Sequence, residues 1–409
     1  MSNWKLNSTI AKKLLSPNGL QGARPVVVIS MIGVSLGLMV MFFSIAITGG
    51  YKNSIRDKMT SMGAHIRISN NDDNYSFEQK PFVLDTSMIN ELNAVPKITH
   101  IQYYATKVGV VKTDHQVEGI VLKGIDSSFN WDVFAPNIKE GKPLRFQDTI
   151  VSNEVMISSK LANRLQLKVG DKLRAYFVQE PPMQRSFIIA GIFETGMPEY
   201  DKNMALVDLR HVQTLNGWDS TQIGAIELFT NDFDHIDPLA VTVDEMLDYH
   251  YKAESIREIY PEIFEWISLF DTNVIVLILI TMLVSSITII STFFIIILEQ
   301  TQKIGLLKAI GMTSKQILNI FLLVALYILL IGMAVGNIVS VGLGMLQYFF
   351  HFIKLNPETY YVDYIPIELN LPALAAINIG ILIICVLVLI LPARFITKRI
   401  SPVSALRQE

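Results

Sequence analysis

One cysteine, Cys385, stands in a chain of 409 residues. No disulfide can therefore staple any part of it, and its large polar region must rest on its own core in whatever compartment it occupies. Charge is sparse as well: 17% of residues are charged, the net charge is −3, and no basic stripe stands out. That balance argues against a nucleic-acid partner. There is no G-x-x-x-x-G-K-[ST] string, so any ATP involved binds to another chain. The seven histidines form no H-E-x-x-H and no Cys/His cluster, which disfavours a zinc site. The most metal-like string, "NDFDHIDP" at 231–238, lacks the glycine and the distal glutamate of a calcium loop. It reads as a turn in which Asp237 caps a helix and Pro238 takes the first helical position. No G-x-S-x-G occurs, and the Ser-Lys string "SNWK" (2–5) falls in a short tail where no pocket is expected.

What the chain does have is long apolar runs, at 25–48, 274–298, 317–350 and 371–391. Each can cross a hydrocarbon core about 30 Å thick at roughly 1.5 Å per residue. Four spanning helices are therefore predicted. None of the four runs holds an Asp, Glu, Lys, Arg or His, which argues against an intramembrane protease, since ionisable groups persist in lipid for function. The runs are instead marked by small and hydroxylated residues. Gly33 and Gly37 form one G-x-x-x-G, Gly332 and Gly336 another, and Ser285 and Thr288 belong to a hydroxyl-rich stretch of the second run. Such residues allow close helix packing, within one chain or between two. Four helices are few for enclosing a transport path, which favours a dimer interface.

Lysine and arginine concentrate before the first run, between the second and third, and after the fourth, whereas the loop between the third and fourth holds Lys354 against Glu358, Asp363 and Glu368. The positive-inside rule then predicts cytoplasmic N- and C-termini, with the long segment after the first run on the other side. The first run exceeds a signal-peptide core and lacks a small-x-small cleavage site, so it reads as a retained anchor. The predicted order is a cytoplasmic segment (1–24), a first span (25–50), an extracytoplasmic domain with stalk helices (51–270), a second span (271–298), a short cytoplasmic helix (299–316), a third span (317–350), an outer loop (351–370), a fourth span (371–391) and a cytoplasmic tail (392–409). In the outer domain "AHIRIS", "YYATKVGVVKT", "QVEGIVLKGI", "RSFIIAGIF" and "IGAIELF" read as strands. Helices are predicted after Ser158 or Ser159 and at Asp237. The fold class is thus an α-helical membrane protein with a mixed α/β domain inserted between its first two spans. The stretch "VQEPPMQR", 178–185, reads as an exposed connection between strands, since its paired prolines preclude a regular ladder.

Between the second and third spans lies "EQTQKIGLLKAIGMTSKQI", 299–317. Ile304, Leu307 and Ile310 share one helical side, with Lys303 and Lys308 elsewhere around it, Gly311 ends the helix, and Thr313 or Ser314 caps the next. Three turns are too few to stand alone in water, so this element must dock, either on anionic lipid or in a cleft of a cytoplasmic partner.

This stretch resembles the coupling-helix segment of ABC transporter permeases of the MacB/FtsX-like superfamily. The likeness extends to "RPVVVISMIGVSLGLMVMFFSIAITGGYKNSIRDKMTSMGAHIRIS", "LANRLQLKVGDKL", "IIAGIFETGMPEYDKNMALVDL" and "LPARFITKRISPVSALRQE". The start and "YYVDYIPIEL" are most similar to the lipoprotein-releasing branch. The resemblance implies a non-catalytic permease subunit that binds no cofactor, with ATP and magnesium held in a separate cytoplasmic ABC ATPase dimer. It implies a second permease chain, identical or not, and mechanotransmission that extracts a lipoprotein toward a periplasmic chaperone. Lys303, Ile304, Leu307, Lys308, Ile310 and Gly311 would then couple to the ATPase. Met39, Phe42, Phe43 and Ile267 would border the substrate path. Pro181, Pro182 and Met183 occupy the place of the branch's chaperone-recruiting loop, here short. A MacB-like exporter, an FtsX-like signal transducer and, in a different class, a ligand-sensing receptor are the alternatives; the last lacks a cytoplasmic output module.

Overall fold

A computed structural model of the chain describes residues 3–15, 24–73, 77–113, 116–147 and 149–399. It divides into two compact units, a helical bundle (1–52, 267–354 and 364–409) and an α/β domain (53–266 with 355–363). The two helices Arg24–Met62 and Pro261–Glu299, each of 39 residues, run unbroken from one unit into the other.

Four helices of the bundle are long and apolar enough to cross a membrane: Arg24–Met62, Pro261–Glu299, Ser314–Phe350 and Leu371–Arg399. Helices answer the lipid environment because each satisfies its own backbone hydrogen bonds. The fourth starts where the sequence places the span but continues to Arg399, so the stretch read as a tail begins as helix; 400–409 lie outside the described residues.

Glycines hold the first helix against two neighbours. A Cβ at Gly33 would meet Thr288 at 3.3 Å, and one at Gly37 would meet Ser285 Oγ at 2.6 Å, both on the second helix. On the third helix, a Cβ at Gly332 or Gly336 would lie 3.0 Å from the carbonyl oxygens of Met31 or Ser35. Both G-x-x-x-G motifs are thus used for packing inside one chain, the first of the two uses that the sequence allows for them. The hydroxyls of Ser30 and Thr292 hydrogen-bond across the same pair of helices as Gly33 and Gly37. The fourth helix closes the bundle through a reciprocal amide pair: Asn337 Nδ2 donates to Asn378 Oδ1 at 2.8 Å and Asn378 Nδ2 to Asn337 Oδ1 at 3.0 Å. Cys385 is buried on this helix.

The opening segment, read from sequence as a plain cytoplasmic stretch, contains a helix, Asn3–Leu15. Ala11 and Leu14 are buried in the bundle core, and the Ser8 and Tyr327 hydroxyls lie 3.3 Å apart. Ile10, Ala11 and Leu14 give the apolar spacing that marks it.

The α/β domain carries twelve strands among its described residues: β1 (Ile66–Asn70), β2 (Phe82–Val83), β3 (Ile98–Lys112), β4 (Val117–Ile125), β5 (Ile138–Gly141), β6 (Glu154–Ser158), β7 (Lys172–Phe177), β8 (Met183–Phe193), β9 (Met204–Asp208), β10 (Gln222–Ile223), β11 (Ala225–Thr230) and β12 (Tyr251–Ser255). Ten join one mixed sheet, nine of them in the order β12-β1-β11-β3-β4-β9-β6-β8-β5 and β7 off that path. β7 pairs with both β3 and β8, so β3, β4, β9, β6, β8 and β7 form a closed circuit. Closure removes strand edges that would otherwise invite pairing with other chains. β12, β1 and β11 extend from it as an open wing.

Ser158 caps the helix Ser159–Leu165, its Oγ accepting from Leu161 N at 3.2 Å. The expected cap at Asp237 is corrected: the helix Ile236–Asp244 starts two residues earlier, with His235 as cap. Asp237 instead accepts from Ser255 Oγ at 2.7 Å and Arg257 Nη1 at 2.9 Å, tying the helix to the end of β12.

Replacing Asn337 by Leu should lower the bundle's resistance to detergent unfolding by about 1 kcal/mol, the scale of membrane-buried side-chain hydrogen bonds. The double variant N337L/N378L, which leaves no orphaned amide, should regain most of that loss in SDS-titrated unfolding.

Candidate functional site

The helix between the second and third spans is Thr301–Ala309. Gly311, at φ +92°, supplies the left-handed residue that ends it, and the Gly311 and Met312 amides bond back to Lys308 O and Leu307 O. Thr313 then opens the third membrane helix with a capping box: its Oγ1 accepts from Gln316 N at 3.3 Å while Gln316 Oε1 accepts from Thr313 N at 2.9 Å. Two tight signals back to back keep the element short and hold it at one end of the bundle.

Its faces differ from the sequence expectation. Ile304 is fully buried in the bundle core, and Leu307 packs against the same core. Ile304 anchors the helix to its own chain, with the partly buried Leu307 packed beside it. The outward apolar residues are Leu306, 58% exposed, and Ile310, 71% exposed, with Lys303 also outward. Residues 303, 306 and 310 follow one another at i, i+3 and i+7, one helical stripe. The helix thus exposes a stripe of two large apolar side chains and a cation, on an element too short to fold alone that is held in place by the bundle.

A second feature lies between the first and second membrane helices. Their backbones approach closely at Gly33 and Gly37, but from Met39 onward the facing side chains are large. The resulting lateral recess, about 460 Å³, is lined by Leu36, Met39, Val40, Phe43, Ile47 and Phe270, with Thr48 and Asn273 among its few polar groups. Beyond it Tyr51 and Phe270 pack with ring centres 5.5 Å apart, and Lys52 and Asp271 form an ion pair. The recess is therefore a hydrocarbon-lined slot with a polar and charged end. Of the expected path residues, Met39 and Phe43 line it. Phe42 and Ile267 do not: Phe42 is turned toward the third helix and the following loop, packing with Ala46 and Ile367, and Ile267 is buried. Positions 39 and 43 lie one turn apart and face one way, while 42 faces another. Phe270 and Asn273, missed from sequence, stand three apart on the facing helix and could have been found by continuing that periodicity.

The third feature is the hairpin joining β7 and β8. Phe177 pairs with Met183, so the connection is only 178–182; Met183, Gln184 and Arg185, read as loop, belong to the ladder. Val178, 93% exposed, and the exposed Pro181 and Pro182 form its tip. Among the described residues no three His, Cys, Asp or Glu side chains gather as a metal site.

Residues 27–243 match the MacB-like periplasmic core domain, more than half of the chain, and residues 275–399 match the FtsX-like permease C-terminal family. Among curated proteins, the lipoprotein-releasing system transmembrane protein LolC of Xylella fastidiosa (strain 9a5c) is 22% identical over 397 residues, 93% of each chain. The protein of the same name from Neisseria meningitidis serogroup B is 20% identical over 94% of each chain. Among solved structures, the periplasmic region of MacB from Actinobacillus actinomycetemcomitans is 15% identical and aligns at a TM-score of 0.35 over 49% of this chain and 94% of that one. Paired with four membrane helices and an inserted mixed-sheet domain, the two family matches and the likeness to the curated relatives over nearly the whole chain identify it as a member of the MacB/FtsX-like superfamily of ABC transporter permeases.

Proposed function

We propose that this chain is the membrane subunit of an ATP-driven transporter that draws lipoproteins from the outer leaflet of the inner membrane toward a periplasmic chaperone. The observation that carries the reading is the lateral recess at Met39, Phe43 and Phe270, an apolar slot with polar groups and an ion pair at one end. An acyl chain fits the hydrocarbon wall, and the polar backbone of a lipid-modified protein fits the other end. Likeness to proteins named for lipoprotein release, over 93% of both chains, supports the same assignment.

In this reading both termini and the helix Thr301–Ala309 are cytoplasmic, and the α/β domain is periplasmic. A separate ATPase dimer, which holds ATP and magnesium, receives Leu306 and Ile310 in a cleft on each subunit. Because the ATPase closes on ATP, it binds the closed arrangement of two permease chains more tightly, and that difference in affinity biases the membrane helices. Movement passes along the unbroken helices Arg24–Met62 and Pro261–Glu299. The second permease chain must be met by surfaces other than the two G-x-x-x-G motifs, which are already occupied. The hairpin tip at 178–182 is the surface offered to a chaperone.

Three outcomes follow. Charging the outward stripe, as Leu306→Glu with Ile310→Glu, should reduce copurification with the ATPase at least tenfold while the permease remains in the membrane; an undiminished complex refutes the docking face. Photocrosslinkers at Met39 and Phe43 should capture lipoprotein and one at Phe42 should not. Depleting the chain should strand mature lipoproteins in the inner membrane on fractionation; a normal distribution would favour an FtsX-like transducer or a MacB-like exporter instead.

A further inference from the structure

The open wing of the sheet hides a polar cavity. Along β1, Ile66 and Ile68 are buried on one face, while Arg67 and Ser69 occupy the other. The register sets Arg67 opposite both Glu254 on β12 and Glu227 on β11, and Glu227 opposite Gln102 on β3. A row of charged and amide groups thus crosses four strands. Lys123, from β4, reaches Glu227 Oε1 at 2.7 Å, and Gln102 Nε2 donates to Glu227 Oε2 at 2.5 Å. Lys123 and Glu227 are 4% and 5% exposed. Phe77, Gln79, Ile256, Ile259 and Tyr260 cover this face without filling it, leaving about 310 Å³. The Tyr200 and Tyr260 hydroxyls meet at 2.7 Å, and the Tyr104 ring lies 4.5 Å below the Lys123 ammonium.

Cavities that stay empty in proteins are apolar, whereas polar ones hold hydrogen-bonding occupants. This one reaches the lower end of the usual ligand range, about 300–1,000 Å³. Its clearest unmet group is Ser69: the hydroxyl is in a residue 2% exposed, lines the cavity, and has no hydrogen-bond partner among the described residues. The lining also states what charge the occupant carries. Arg67 and Lys123 are balanced by Glu227 and Asp73, so neither an anion nor a cation gains from the site as a whole. Phe77 and three tyrosines supply ring faces, and burial raises the Tyr104 and Tyr200 phenols well above their usual range, so they stay protonated as donors.

We propose that this cavity binds a neutral polyhydroxylated ring of monosaccharide size, its apolar face against the tyrosine rings and its hydroxyls toward Ser69 and the Arg67–Glu227 row. The site lies wholly within the α/β domain and does not depend on what the membrane helices carry.

The test is saturation-transfer NMR and fluorescence titration of the full chain in detergent micelles, using glucose, galactose and N-acetylglucosamine, with hexanoate and choline as charged probes. The N-acetylglucosamine disaccharide separates a free sugar from a unit within a longer glycan. At least one monosaccharide should bind saturably, and the disaccharide and both charged probes should not. Ser69→Ala, which removes one hydroxyl without adding bulk, should weaken binding about tenfold, as loss of a buried hydrogen bond does. Met204→Phe, intruding from β9, should abolish it, with circular dichroism unchanged in both variants. The proposal is overturned if no monosaccharide saturates, if a charged probe or the disaccharide binds in its place, or if both variants bind as the parent does.

Discussion

Close approach of the first membrane helix to its neighbours is the constraint on which the bundle depends. Lipid supplies no hydrophobic drive between helices, so association rests on van der Waals contact and on polar groups that meet across the interface. Gly33 and Gly37 let the second helix in on one side, and Gly332 and Gly336 bring the third helix onto the backbone of the other. With both sides taken, the first helix becomes the hub. The recess follows directly, because the small-residue contact ends at Gly37 and the side chains that come next cannot sustain the same separation.

The short helix between the second and third spans obeys the same economy of contact. Ile304 and Leu307 belong to the bundle core, and this attachment substitutes for the length the helix lacks. Of its large apolar side chains, Leu306 and Ile310 are left facing outward. An element of this kind moves with the bundle because its inner face is part of it.

Much of this was legible in the sequence, and what was missed has physical causes. The four spans were plain because an uncharged run of twenty or more residues has few other uses. Gly311 and Thr313 were legible as stop and start signals because each meets a local backbone requirement. Which way Ile304, Leu307 and Phe42 face was not legible, since an apolar residue in a chain with both a core and a partner surface satisfies either. Whether the glycine motifs pack within one chain or between two was open for the same reason: a small-residue stripe specifies closeness and leaves the neighbour unnamed. β9, "MALVD", escaped because a strand buried on both faces loses the alternation that marks strands. The cavity beside Arg67 and Ser69 was not legible either, since polar residues alternating with isoleucines ordinarily mean a solvent-facing side.

The Lys123–Glu227 pair carries a consequence for how such a domain drifts over generations. Removing one partner of a buried ion pair costs about 3–5 kcal/mol because the other charge is left bare, and a domain's entire margin is about 5–15 kcal/mol. Single substitutions at either position are therefore strongly destabilising, while a joint exchange for two well-fitting apolar residues is tolerable. The two sites are locked into inheriting change together, and Gln102, bonded to the same carboxylate, is drawn into that pact.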